Sequence, residues 1–269
     1  MKSPKTLFRE YFRRRLISAG KKLAGDELED FIAEAAAEWE REPCAEYGGL
    51  SPKEYFADIG DAAELIRLLA ADIKEGGEPL AVITDRLAEL PGAAGSLAET
   101  VCSDEADEEL RIVAADLLWQ RGSVPVEEFA DIVFSATAPV ALRERLIEIL
   151  GGCGGETEQA VLPRIGHVAG DDALVAGELL VRSGSMTDET LDFLLSLTES
   201  AGTLPRALQL LSDYGDTRTI PRLKELARTC DYATYTDIRS AVEAMGGELD
   251  VERDWSGDAT YGIIKGGNK

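Results

Sequence analysis

Apolar and polar positions in this chain follow a helical period, and the pattern restarts at a nearly fixed interval. Five apolar runs end in a glycine: LLWQRG at Gly122, EILGGCG at Gly154, LLVRSG at Gly184, LLSDYG at Gly215 and AVEAMG at Gly246. The spacings are 32, 30, 31 and 31 residues, the signature of a stacked helical repeat. Four and five residues before each glycine lie Leu117-Leu118, Ile149-Leu150, Leu179-Leu180, Leu210-Leu211 and Ala241-Val242; eight before lie Ala114, Leu146, Ala176, Ala207 and Ile238. These offsets share one helical face. Each run therefore predicts an amphipathic helix, the second of its repeat, ended by a glycine able to adopt the left-handed conformation.

First helices are predicted between them, one opening at Val124-Pro125 and others over roughly 156–169, 187–200 and 217–230. Asp216 suits an N-cap. Two helices and two turns fill the period and leave no space for strands. Upstream, 5–23 and 26–41 read as a basic and an acidic helix, and Pro43 breaks the pattern. Ser51-Pro52-Lys53-Glu54 is a helix start with a capping box, and Tyr55 and Phe56 stand where they could anchor this region to the first repeat. The expected organisation is a helical cap over 1–57, a helical-repeat solenoid over 58–250 and a tail over 251–269. The glycines and weak periodicity after Asp254 predict an extended or disordered tail.

The segment GDTRTIPRLKELA, residues 215–227, resembles the start of a HEAT repeat, in particular the short bacterial kind related to bilin-lyase repeats. The glycine, the acidic residue, Arg218, Ile220-Pro221 and the Leu223/Leu226 pair carry the resemblance. It extends over 92–250, with Leu87-Ala88 and Gly92 ending an earlier degenerate unit, and is closest at 215–246. Unit 151–184 departs from it: its turn is GGCGG and its first helix lacks the Asp/Arg pair. The resemblance implies an all-α solenoid (α-α superhelix) of about five or six helix pairs, with the second helices lining a concave surface. It implies no single function, because such repeats serve many.

Composition narrows the function classes. The net charge is −23, and it is uneven: residues 1–22 carry +7 and the remainder −30. A body this acidic repels phosphate backbones, which argues against nucleic acid as the main partner. No apolar run is long enough to span a bilayer. The basic first helix, with its stripe of Phe8, Phe12 and Leu16, is expected to fold against the acidic body rather than on a membrane. Cys44, Cys102, Cys153 and Cys230 are far apart and form no metal-binding pair, and no export signal is evident. They are expected to be reduced, mostly buried thiols of a cytoplasmic protein. His167 stands alone. No P-loop, nucleophile elbow or zinc-protease motif is present, so no catalytic, cofactor-binding or metal-binding residue is nominated.

A non-catalytic protein-binding scaffold is the expectation that remains. An enzyme or ligand-handling module on the same scaffold and a helical-repeat nucleic-acid binder are the alternatives. Offsets opposite the buried face of the second helices give the candidate binding residues: Asp116 and Gln120, then Arg145 and Glu148, then Glu178 and Arg182, then Arg206, Gln209 and Asp213. Trp119 adds an aromatic beside this polar ladder, as a contact anchor or an edge of the core. Asp116, Glu148 and Glu178 share one offset and predict an acidic row that favours a basic partner, interrupted by Arg145, Arg182 and Arg206, so recognition is expected to be patterned and not merely electrostatic.

Overall fold

The computed structural model describes residues 2–20 and 24–266. Among them are sixteen α-helices and no strand. The fold is all-α, of the solenoid class, and the chain forms two compact units: Met1–Pro125 with Pro139–Leu142, and Val126–Ala138 with Arg143–Lys269.

The first unit begins with α1 (Pro4–Ala19), α2 (Asp26–Trp39) and the short α3 (Pro52–Ala57). Helix pairs follow: α4 (Ala62–Lys74) with α5 (Ala81–Glu89), and α6 (Ala93–Cys102) with α7 (Glu108–Gln120). Within this unit α4 packs on α5 and α6 on α7, while like helices stack, α4 on α6 and α5 on α7. The second unit holds α8 (Val126–Val133), most of α9 (Val140–Leu150), and the pairs α10 (Gly155–Val161) with α11 (Asp171–Ser183), α12 (Asp188–Ser196) with α13 (Leu204–Tyr214), and α14 (Ile220–Ala227) with α15 (Tyr232–Ala244). The second helices α11, α13 and α15 stack in order, each covered by its first helix. A last helix, α16 (Ala259–Gly266), lies on α15.

The glycine register holds. Gly92, Gly122, Gly154, Gly184, Gly215 and Gly246 all have φ between 58° and 84°, a conformation that costs a residue with a Cβ about 1–2 kcal/mol. Leu118, Leu150, Leu180, Leu211 and Val242 are fully buried, as are the eight-back Ala114, Leu146, Ala207 and Ile238. Gly154 plays a different part from its equivalents. Helix α9 stops at Leu150, and Gly154 caps the start of α10. The run Gly151-Gly152 ends α9 early, because glycine is the poorest helix former after proline. The first helices are also shorter than expected. Helix α10 gives way to a 3₁₀ turn over Leu162–His167 that carries Pro163, and α14 is preceded by one over Thr217–Thr219. The Ser51–Glu54 capping box forms, and Asp216 accepts the Arg218 amide as an N-cap.

A second repeated element joins the pairs. Arg111 and Arg143 each stand eleven residues before their glycine. Each donates Nε to the carbonyl ten residues back, Val101 at 2.8 Å and Val133 at 2.7 Å. Those carbonyls end α6 and α8, where acceptors lack intrahelical partners and a cation meets the negative end of the helix dipole.

Helix α1 docks as its charge predicts. Lys5 Nζ is buried, 3.3 Å from the buried Asp72 carboxylate of α4, and donates to the carbonyls of Asp72, Gly76 and Gly77. Arg9 reaches Glu75, and Arg15 pairs with Glu38 of α2. Phe8 packs on Trp39 and Phe12 on Phe31. Lys21 and Lys22, which belong to the basic stretch, lie outside the described residues. The expected 1–57 cap is part of the same compact unit as the first repeats. Phe56 within it is fully buried, and α3 packs on α5.

The tail expected to be extended or disordered instead carries α16 and aromatic contacts over its described part, to residue 266; 267–269 lie outside the described residues. Trp255 packs against Tyr232 and Tyr235, Tyr261 against Tyr232, and Arg253 lies 4.4 Å over the Trp255 ring. Asp258 accepts the amides of Tyr232, Thr260 and Tyr261, tying α15 to the start of α16. Glycine content predicts weak propensity, but aromatic burial across the sequence supplies the ordering energy. The cysteines also depart from expectation. None of the four is in a disulfide, yet Cys102 is exposed and the other three are half-buried.

Candidate protein-binding face

The predicted outward offsets of the second helices are exposed or half-buried. In the first unit, α7 places Trp119 and Gln120 at the surface and Asp116 half-buried. Trp119 is 42% exposed, so it is an accessible aromatic and not a core residue. Its neighbours Leu117 and Leu118 turn inward, which leaves the indole on the open side of the helix.

In the second unit the remaining candidates join an ion-pair ladder. On α9, Arg145 pairs with Glu148 one turn away. On α11, Glu178 is 3.8 Å from Arg182 and 3.1 Å from Arg206 of α13. Arg206 also donates to the Gln209 side chain at 2.6 Å. The Arg182 guanidinium lies against Gly151 where α9 ends; a Cβ there would stand 2.3 Å from its central carbon. Glycine at 151 thus gives the guanidinium its place. Glu148 and Glu178 of the expected acidic row are paired with the arginines expected to interrupt it. The face is therefore a mixed ladder of both signs. Asp213 is exposed at the end of α13.

Beside this ladder a groove of about 460 Å³ opens between α13 and α15. Pro205, Gln209 and Ser212 line one side and Asp237, Ser240 and Ala244 the other. The groove exists because the α15 positions facing α13 are small. Gln209 is the one sequence candidate that lines it. Ser212, Asp237, Ser240 and Ala244 were missed; the signal was available in the small residues at Ser240, Ala241 and Ala244, spaced as one helix face.

The groups with chemical potential elsewhere are held in structural roles. Burial, with the Glu156 carboxylate, pushes the Cys153 thiol up, which disfavours the nucleophilic thiolate. Glu158 is buried and accepts the hydroxyls of Thr187 and Thr190 at 2.7 and 3.1 Å. Burial pushes its carboxyl up, but the hydroxyls of Ser185, Thr187 and Thr190 outweigh that and hold it below its ordinary range. His167 is exposed at the end of its 3₁₀ turn. No cluster of three His, Cys, Asp or Glu is placed to hold a metal ion among the described residues. Among them, too, no helix is long and apolar enough to cross a membrane. No protein-family model, curated protein or solved structure matches the chain.

Proposed function

We propose that this protein is a non-catalytic scaffold of HEAT-like helix pairs that binds a peptide or protein segment on its second-helix face. Stacked helix pairs present a row of side chains at fixed spacing, which suits extended partners. The carrying observation is Arg206. It fixes Glu178 of α11 and Gln209 of α13 in one network, at the edge of the α13–α15 groove. A polar surface held in this way is preorganised, and preorganisation reduces the entropy lost on binding.

The paired charges bear on the chemistry of the partner. A purely basic partner would have to break Glu148 and Glu178 from their arginines. A segment carrying both signs, or neutral hydrogen-bonding groups, can insert into the ladder without that loss. Trp119 offers a separate aromatic anchor on the first unit, and its removal is expected to weaken binding by about 2 kcal/mol or more.

The test uses the full chain as bait. Ser240→Trp fills the groove from an exposed position, and Glu189→Trp places the same indole on the exposed side of α12. The partner recovered by the unaltered protein is expected to be lost with Ser240→Trp and kept with Glu189→Trp. Equal recovery by both variants refutes the proposal.

A further inference from the structure

Helix α2 carries two apolar faces, and the fold uses one. Phe31, Ala35 and Trp39 turn toward α1: Phe31 meets Phe12, Trp39 meets Phe8, and Ala35 is fully buried. The other face holds Ile32, Ala33 and Ala36, at the spacing of one helical stripe. Ile32 is 40% exposed and Ala33 is exposed. This stripe forms one wall of a groove of about 720 Å³ in the first unit. Phe8 and Trp39 contribute apolar surface to it, and the turn from Gly76 to Ala81, with Pro79 and Leu80, forms the opposite wall.

The charges at the rim are one-sided. Two cations line the groove, and both are already engaged. Lys5 is buried against Asp72 and three carbonyls, and Arg9 is paired with Glu75. Three carboxylates also line it: Glu29 on α2 and Glu40 at its C-terminal cap, eleven residues apart, and Glu78 across from them. None of the three forms an ion pair among the described residues. Burial, and then the Asp85 carboxylate, push the Glu40 carboxyl up against the opposing influence of Lys53 and Arg41, so its negative charge lacks full compensation.

We infer that this groove is a docking site for a short amphipathic helix with apolar anchors on one face and Lys or Arg flanking them. Apolar walls with small residues let a helix approach closely, and the anchors of such a ligand fall at i, i+3, i+4 and i+7. The stretch from Glu29 to Glu40 spans ~16 Å at the helical rise, matching three turns of a bound helix. Charge selects the occupant. A second copy docked symmetrically through this groove would bring Glu29 and Glu78 against their own equivalents. An anionic lipid surface would meet the same carboxylates. A cationic segment alone neutralises them. This site belongs to the first unit and is independent of the second-helix face of the second.

The probe is a synthetic 12-residue fluorescent peptide with leucines at i, i+3, i+4 and i+7 and lysines at the flanking positions. It is titrated with the full-length protein and compared with a peptide in which glutamates replace the lysines. The lysine peptide is expected to bind at least tenfold more tightly. General attraction to an acidic protein is separated by position. Glu29→Gln with Glu78→Gln should weaken binding about tenfold, while Glu27→Gln with Glu34→Gln, the same change in charge outside the groove, should leave it within twofold. Ala33→Trp fills the groove from an exposed site and should abolish binding; Glu34→Trp, exposed and about 100° around α2 from Ala33, should not. Equal losses from the two charge-neutralised pairs, or unchanged affinity for Ala33→Trp with unchanged circular dichroism, overturn the inference. So does a glutamate peptide that binds as well as the lysine one.

Discussion

The first and last helices are both held on their neighbours, and they use opposite chemistry. Helix α1 is fixed by a buried charge: Lys5 pairs with Asp72 and donates to three carbonyls at the end of α4. Helix α16 is fixed by rings: Trp255 and Tyr261 each meet Tyr232 edge to face, Tyr235 lies tilted against Trp255, and Asp258 closes the turn. A buried ion pair is costly to desolvate and costlier to break. An aromatic cluster at the surface contributes in proportion to area and loses little when one member is trimmed. The first arrangement is therefore specific and brittle, and the second adaptable.

Mutations can break that comparison. Lys5→Met is expected to produce the largest effect. It leaves Asp72 buried without its partner, with one carboxylate oxygen already lacking a hydrogen bond. The cost should be about 3–5 kcal/mol by urea denaturation. A loss below 1 kcal/mol would mean that α1 is not held by this pair. Leu211→Ala, in the interior of the stack, supplies the reference, at about 2–5 kcal/mol for a fully buried leucine. Trp255→Ala should cost less, about 1–2 kcal/mol, since the ring is half-buried and its neighbours can close over it. A loss equal to that of Leu211→Ala would show that the last helix is as integral as the stack.

Acidity sharpens the same contrast because the two aspartates shift in opposite directions. Burial pushes the Asp72 carboxyl above its ordinary 3.8, against the opposing influence of the Leu80 amide and Lys5. The folded state then binds a proton before the unfolded one does. Asp72's contribution to stability accordingly rises as pH falls from its raised value toward 3.8. At Asp258 burial also acts upward, but the donors from Tyr261, Thr260 and Tyr232 outweigh it and hold the carboxyl low. That contribution is present above the ordinary value and is lost as pH falls through the depressed one. Comparing stability curves against pH for Asp72→Asn and Asp258→Asn should give difference slopes of opposite sign. Slopes of the same sign would contradict these assignments. The smallest effect is expected from Gln120→Ala, on the exposed side of α7, at within about 0.5 kcal/mol.

The periodic part of the fold was legible because it is written locally. A glycine with positive φ, an apolar pair four and five residues before it and a buried apolar residue eight before it recur in each second helix, and each has a short-range physical cause. The loss of register at Gly151-Gly152 was not legible, since the spacing counted Gly154 as a terminator where it opens α10. The Arg111 and Arg143 anchors repeat at the same offset and could have been found by the same counting. The order of the last segment was hidden for another reason. Trp255 and Tyr261 find their partners on α15, some twenty residues earlier, and no local propensity records that contact. In the candidate face, exposure was legible from helical offset. The pairing of Glu178 with Arg206 was not, because it joins two helices. The α13–α15 groove depends on what small side chains leave open, which a periodicity count does not weigh.

The central claim is that the second-helix face of the α11–α15 stack binds protein. A photoreactive phenylalanine at Gln209, compared with one at Glu189 on α12, tests it most directly in living cells. The account predicts a discrete crosslinked species from position 209 and none from 189. Crosslinking from 189 alone, or equally from both, would contradict it.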